Sequence, residues 1–344
     1  MCTGIRLTAT GGEVFWGRTM DLAAGMFGEE PTAPAPSSFV TYPRDVEVHS
    51  SGDNWTTKYA AVGMAPTNTS IMYDGINEKG LAGDIQVLME CTHAPADEIK
   101  KRGQKPVIAE EFVTYVLTQF ASVQEIRDNY QKLALSDQPE VIGTFKVKLP
   151  AHYIFVDETG DGIVLEPVEA GSFKLYEYSG VATNSPEYSW HQTNLNNYIG
   201  LDTNDVTQPK QLKGANHVNL TPIENGTGYG FFGLPGDYTS VSRFVRASLI
   251  SNNLDAFEAK DGINILYAAF RSVIIPRGLE HADPQNAITD ASRYWVGYDL
   301  ANRTAYAQPI TGLAISSMGI DPDVTEITFT ELDTSVHAHT LHAI

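Results

Sequence analysis

Apolar and polar residues alternate on both sides of Gly11-Gly12, over residues 2–8 and 14–21. Period-two alternation across a glycine pair predicts a β-hairpin. Residues 22–58 break that rhythm with Pro31, Pro34 and Pro36, and read as a long loop around a short strand at 39–42. A loop of that length suits the wall of a substrate pocket. Apolar runs at 59–64, 70–73 and 81–88 read as strands, with turn residues from Asp74 to Gly80 between the last two. Helical spacing appears over 107–120. Ser122 with Glu125 three residues later is a capping-box pattern, opening a second helix to about residue 133. Strands return at 152–156, 162–167 and 173–178, with a Gly160-Asp161-Gly162 turn after the first. Further helices are expected over 188–199, 240–251 and 263–273. A hairpin at 294–299 and 304–308 and a strand at 325–332 follow. Meandering strands with grouped helices indicate an α+β class, antiparallel sheet covered by helices.

Composition narrows the role. The chain has 344 residues, is 42% hydrophobic and 10% aromatic, and carries a formal net charge of −19. That is ample for a sizeable core. The acidity argues against sequence-independent nucleic-acid binding and against docking to anionic lipid. No repeat, linker or low-complexity block divides the sequence, so a single domain over 1–344 is expected. No apolar run approaches the roughly 20 residues that span a bilayer. With no signal-like start and only Cys2 and Cys91, which make no disulfide framework, the expected compartment is the cytoplasm.

The chemistry gathers at Cys2. Cysteine is small enough for an aminopeptidase to take off Met1, leaving an α-amine and a thiol on one residue. An amine with a reference pKa of about 7.7–8 is a suitable acceptor for a proton from a thiol of about 8.5. A nucleophile served by its own terminal amine is a known arrangement. The hairpin would bring Arg18 and Asp21 close to it. Arginine favours thiolate, and a carboxylate can hold a terminal ammonium. Without those partners the plain alternative, an inert small residue, would prevail.

Met1-Cys2-Thr3-Gly4-Ile5-Arg6 followed by Gly17-Arg18-Thr19-Met20-Asp21 resembles the start of the choloylglycine hydrolase family, N-terminal nucleophile hydrolases that include penicillin V acylases and bile salt hydrolases. Thr183-Asn184-Ser185-Pro186, Gly233-Leu234-Pro235-Gly236-Asp237 running to Arg243-Phe244, and Asn77-Glu78-Lys79-Gly80 resemble further family segments in family order. The resemblance implies an αββα sandwich of two stacked antiparallel sheets between helical layers. It implies Cys2 as nucleophile, with Arg18, Asp21 and Arg243 around it; Arg243, not Arg246, matches the family arginine. It implies an oxyanion hole from the Asn184 side-chain amide and, ten residues after Asn77, the main-chain N–H of Val87. A side chain of Val87 is neither the Asn common in bile salt hydrolases nor the Tyr of penicillin V acylases. Trp16, Met20, Met26 and Phe27 would border an apolar acyl pocket. No metal or cofactor is implied. The partner implied is a small-molecule amide, and the assembly a homotetramer.

Within the family, the run from Val181 to Asn197 and Arg18-Thr19-Met20-Asp21 lean towards penicillin V acylase. Bile salt hydrolase is the second reading, and acyl homoserine lactones stay open as substrates. The reading from another class is a catalytically idle ligand-binding or redox thiol protein on the same scaffold. Other features are expected to be structural. His191 is a core histidine and Cys91 a small core or loop residue. The GxGxxG spelling at 228–233 lacks a strand before it and a helix after it. Residues 157–162 lack the closing glutamate of a calcium loop. His337, His339 and His342 belong to a solvated tail.

Overall fold

The structure, a computed structural model, describes all residues except 215–216, 225–226, 282–284, 286–287 and 337–344. The expectation for His337, His339 and His342 lies outside the described residues. Cys2–Thr8 and Val14–Leu22 form the first hairpin, turning where Gly12 takes φ 99°, a left-handed value that glycine adopts without strain. Val14–Leu22 then pairs with Thr289–Asp299, and the antiparallel order continues through Thr304–Pro309 to Ser316–Gly319. Val181–Ala182 closes the other edge beside Cys2–Thr8.

A second, ten-stranded sheet lies behind the first. Its centre runs Ser37–Tyr42, Ala61–Pro66, Asp74–Asn77, Ala82–Val87, Ala151–Val156, Gly162–Glu169 and Ser172–Glu177, all antiparallel neighbours. Its far edge is parallel: Leu133–Leu135 pairs with Lys105–Val107. Helices Ser240–Ser251 and Gly262–Phe270 cover the first sheet, and Phe112–Gln119 covers the second. The layers are therefore helix, sheet, sheet, helix. One apolar cluster joins the first sheet to its helices and to the inner face of the second. The other lies under Phe112–Gln119, where Phe112 packs on Tyr153 and Phe173 with ring centroids 4.4 and 4.7 Å apart.

Three expectations change. The helix expected over 107–120 begins at Phe112, because residues 105–107 are drawn into the parallel pair. Residues 70–73 are not a strand. The strand is Asp74–Asn77, whose Asp, Gly and Asn read as turn residues. Each has a structural reason. Gly75 stands opposite Gly63, and a Cβ on it would sit 2.2 Å from Met72 Sδ. Asp74 serves the site described below. The strand at 325–332 is limited to Thr328–Thr330.

Asn77 fixes the turn into Ala82–Val87. It is fully buried, donates to the carbonyls of Leu117 and Phe120 at 2.9 and 2.8 Å, and accepts from the N–H groups of Lys79 and Leu81. Asn77→Ala should destabilise the protein by about 3 kcal/mol in urea denaturation, since it strands several buried backbone groups at roughly 1–3 kcal/mol for each one left unmade.

Candidate active site

The register of the first hairpin sets Cys2 opposite Met20 and Gly4 opposite Arg18. These positions share the face that looks into the second sheet, as the alternation of a strand requires. Gly4 leaves room for the second sheet's Gln86, whose Nε2 a Cβ there would meet at 3.1 Å. The Arg18 side chain, fully buried, leans along that face. Its Nη2 donates to Cys2 Sγ at 2.5 Å and contacts Met20 Sδ at 3.4 Å. Nη1 donates to the Tyr73 carbonyl at 3.3 Å and lies 3.5 Å from Asp74 Oδ2, while Nε lies 3.5 Å from Asp84 Oδ2.

Those carboxylates differ in support. Asp74 accepts from the hydroxyls of Tyr294 and Tyr298, both at 2.5 Å. Asp84 accepts from Gln86 Nε2 at 2.8 Å on Oδ2, and its Oδ1 has no hydrogen-bond partner among the described residues. Burial pushes the Asp74 carboxyl above its usual range, against Arg18 and the two tyrosines. Burial takes the Asp84 carboxyl to about 6, Arg18 and Gln86 opposing and Asp74 adding to the rise. For Arg18, burial alone would lower the pKa. Cys2, Tyr294, Asp84 and Asp74 outweigh it, so the guanidinium stays charged.

The opposite face of the hairpin carries a second cationic cluster. Register shifts between Met20 and Asp21. The Asp21 carboxylate accepts from Ser292 Oγ at 2.5 Å and Thr19 Oγ1 at 3.2 Å, and stands 3.9 Å from Arg243 Nη1. Arg243 Nη1 donates to the Cys2 carbonyl and to Thr3 Oγ1, each at 2.5 Å. Its Nη2 donates to Asn184 Oδ1 at 3.0 Å and its Nε to the Tyr238 carbonyl at 2.9 Å. Arg243 is delivered from the first turn of Ser240–Ser251, which Thr239 caps by accepting from Ser242 N–H. Asp237 braces the cap, taking hydrogen bonds from Ser242 and Thr239 that hold its carboxyl down at about 2.

Asn184 connects the sheets. Its Oδ1 accepts from Cys2 N–H at 2.6 Å, and its Nδ2 donates to the Val87 carbonyl at 2.9 Å. One of the two Nδ2 hydrogens is used in that bond. Val87 ends its strand. Leu88 N–H donates to Pro150 O across to Ala151–Val156, so alternation turns the N–H and carbonyl of Val87 the other way. On that side Asp74–Asn77 has already stopped, its last reach being Ile85 N–H to Tyr73 O. The Val87 N–H thus faces the Asn184 side. His191 accompanies Asn184: Nε2 lies 2.8 Å from its carbonyl, the ring stacks on Phe244 at 4.6 Å, and burial lowers its pKa.

The structure thus brings Cys2, Arg18, Arg243, Asn184 and Val87 together, with Met20 beside the thiol. Asp21 is present, but its carboxylate holds Arg243 and Ser292. Its main chain is what grips residue 1, accepting from the Met1 amine and donating to the Met1 carbonyl at 2.8 Å. With Met1 in place, Cys2 N is a peptide N–H. Phe27 meets Tyr294 edge to face at 6.2 Å, and Met26 is buried beside the main chain of Ser37. Trp16 does not border the thiol. It pairs with Arg6, four residues along the ladder from Cys2 or about 13 Å, and stacks on Tyr298 in the inter-sheet core at 5.8 Å. Asp74, Asp84, Tyr294 and Ser292 escaped sequence reasoning. They lie in strands whose neighbours only the tertiary register decides. Among the described residues no group of His, Cys, Asp and Glu is arranged to hold a metal, and no helix is long and apolar enough to cross a membrane.

The family described as linear amide C–N hydrolases, choloylglycine hydrolase family, matches residues 2–324. A bile salt hydrolase/transferase of Clostridium perfringens is 31% identical over 276 residues, 77% of this chain and 78% of that protein. The crystal structure of the C2A mutant of the conjugated bile acid hydrolase from Clostridium perfringens superposes with a TM-score of 0.83 at 26% identity, covering 99% of this chain and all of that one. A penicillin V acylase of Pectobacterium atrosepticum is 27% identical over 222 residues, 61% of this chain and 49% of that protein.

Arg243→Leu should destabilise the protein by about 3–5 kcal/mol in denaturant melts, because it strips a buried carboxylate and several carbonyls of their cation. Arg246→Leu should cost less, since Arg246 donates to the carbonyls of Pro235, Asp237 and Ser272 but, among the described residues, has no ion-pair partner to match the Asp21 of Arg243.

Proposed function

The chain belongs to the choloylglycine hydrolase family of linear amide C–N hydrolases, and from that premise we propose that it cleaves conjugated bile salts with Cys2 as an N-terminal nucleophile once Met1 is removed. The observation that carries the chemistry is the Cys2 thiol held at 2.5 Å by a buried guanidinium while its own nitrogen meets Asn184. The α-amine of Cys2 takes the thiol proton. The thiolate, favoured by Arg18, adds to the amide carbonyl. The developing oxyanion accepts from Val87 N–H and from the second hydrogen of Asn184 Nδ2, neutral donors worth on the order of 3–4 kcal/mol where measured elsewhere. The ammonium returns its proton to the leaving amine as the C–N bond breaks, and a thioester remains on Cys2. Water, deprotonated by the same amine, releases the carboxylate and restores the thiol. Arg243, with Asp21 as its ion-pair partner, holds the Cys2 carbonyl in place throughout.

The substrate class rests on the relatives. A bile salt hydrolase aligns over three-quarters of both chains, whereas the penicillin V acylase aligns over half of its own length. This reverses the order that the sequence suggested. Penicillin V is kept as the second reading because Met20, Phe27 and Val87 are apolar, and such a wall suits a phenoxyacetyl group. A small-molecule amide as partner, a homotetramer, a single domain and a cytoplasmic location complete the proposal.

Glycocholate, taurocholate, penicillin V and an acyl homoserine lactone should be offered to wild type and to Cys2→Ala. Glycine or taurine release by wild type is expected, with none from Cys2→Ala and severely slowed turnover from Cys2→Ser. Wild-type rates in Cys2→Ala would remove the mechanism. Faster penicillin V turnover would move the chain to the second reading. Mass spectrometry should find Met1 absent from active protein; a retained Met1 with no turnover supports the idle thiol protein.

The amine must be neutral to accept the proton. The profile of kcat/KM should therefore fall below a pKa at or under about 7.7, the reference value of a free α-amine. A flat profile across the amine's range counts against the amine as base.

A further inference from the structure

Arg18 has three anionic claimants and one charge. Cys2 Sγ takes Nη2 at 2.5 Å, Asp74 faces Nη1 at 3.5 Å, and Asp84 faces Nε at 3.5 Å. All are sealed between the sheets, so solvent screens none of them. Were both carboxylates and the thiol ionised, three negative charges would crowd one positive. The claimants are not equal. Asp74 has a hydroxyl donor on each oxygen and can stay charged with Arg18 as its neighbour. Among the described residues Asp84 has one hydrogen-bond donor, Gln86, on Oδ2, while Oδ1 is buried with none. An ionised oxygen without a donor in such a place is costly, so Asp84 is the claimant that yields.

We propose that Asp84 is a positioning residue for the nucleophile: it competes with the Cys2 thiolate for the single guanidinium of Arg18, so that its own protonation hands Arg18 to the thiolate. The proposal rests on the cysteine hydrolase reading for its importance, and on the Arg18 geometry for its content. The groups that face Asp84 are Arg18 from Val14–Leu22, Asp74 from its neighbouring strand, and His152 from Ala151–Val156, with Glu166 at 3.2 Å behind that histidine. Tyr178 stands on the same side. Burial keeps the Asp84 proton to about pH 6. Below that pH Arg18 serves Cys2 with one carboxylate opposing; above it, with two. The sign follows: as pH rises through the Asp84 range, thiol ionisation is held back.

The test reads the thiolate directly, without substrate. Its ultraviolet absorbance is titrated in Cys91→Ser protein, with Cys2→Ser Cys91→Ser as the blank. The parent should titrate over a broadened range. Asp84→Asn should give one sharper step at lower pH, displaced by about one unit, a tenfold gain in thiolate-to-thiol ratio. Gln86→Met, which removes the donor that favours ionised Asp84, should shift the curve the same way by less. A folded Asp84→Asn protein whose curve overlies the parent, or moves to higher pH, overturns the proposal. If Asp84→Asn does not fold, Gln86→Met decides by the same criterion. Failure of every amide substrate would sink the hydrolase reading and leave this titration to be judged on its own.

Discussion

A guanidinium shut between two sheets must find every one of its partners inside the protein, and much of this architecture follows from where Arg18 lies. Its neighbours come from both sheets: Cys2, Met20 and Thr19 from one, Asp74 and Asp84 from the other, with Tyr73 just before the Asp74 strand. Gly4 stands opposite it in the register, and its missing side chain leaves the space beside the Gln86 amide, 3.1 Å from where a Cβ would stand. Tyr294 and Tyr298 belong to the same requirement, since they satisfy the carboxylate that faces the arginine. Burying one charge has recruited four strands, and the thiol inherits a polar environment within an apolar core.

The hairpin also divides labour between its two faces. Strand alternation points the Cys2 side chain at Arg18, while the Cys2 carbonyl is held by Arg243, whose ion-pair partner is Asp21 on the far face. One cation acts on the sulfur and the other on the backbone that carries it. The two therefore perform different tasks.

The strands and helices were largely legible in the sequence because alternation and helical spacing are local, and the αββα layering was legible through the family resemblance. The hairpin at Gly11-Gly12 follows from chain chemistry alone, as does the cap at Ser122, whose hydroxyl accepts from Glu125 N–H. Cys2, Arg18, Asn184 and Arg243 were legible through the family resemblance. What escaped was set by long-range pairing. Asp74 looked like a turn residue because its stabilising partners lie about 220 positions away along the chain. The parallel pair of Lys105–Val107 with Leu133–Leu135 leaves no short-range mark and shortened the helix expected before Phe112. Trp16 sits two residues from Arg18 and shares its face, yet distance along the ladder places it deep in the core.

Asn184 follows a strand of the first sheet and its amide reaches Val87 in the second, with the Cys2 nitrogen on its other end. Stacked sheets lie about 10 Å apart and settle by small amounts when the packing between them changes. A side chain bonded at both ends does not stretch in that way. It works as a spacer of fixed length at the open end of the sandwich, setting the span from nucleophile to Val87 by covalent geometry instead of by side-chain packing. Substitutions in the inter-sheet core can therefore drain stability while the reacting groups keep their separation.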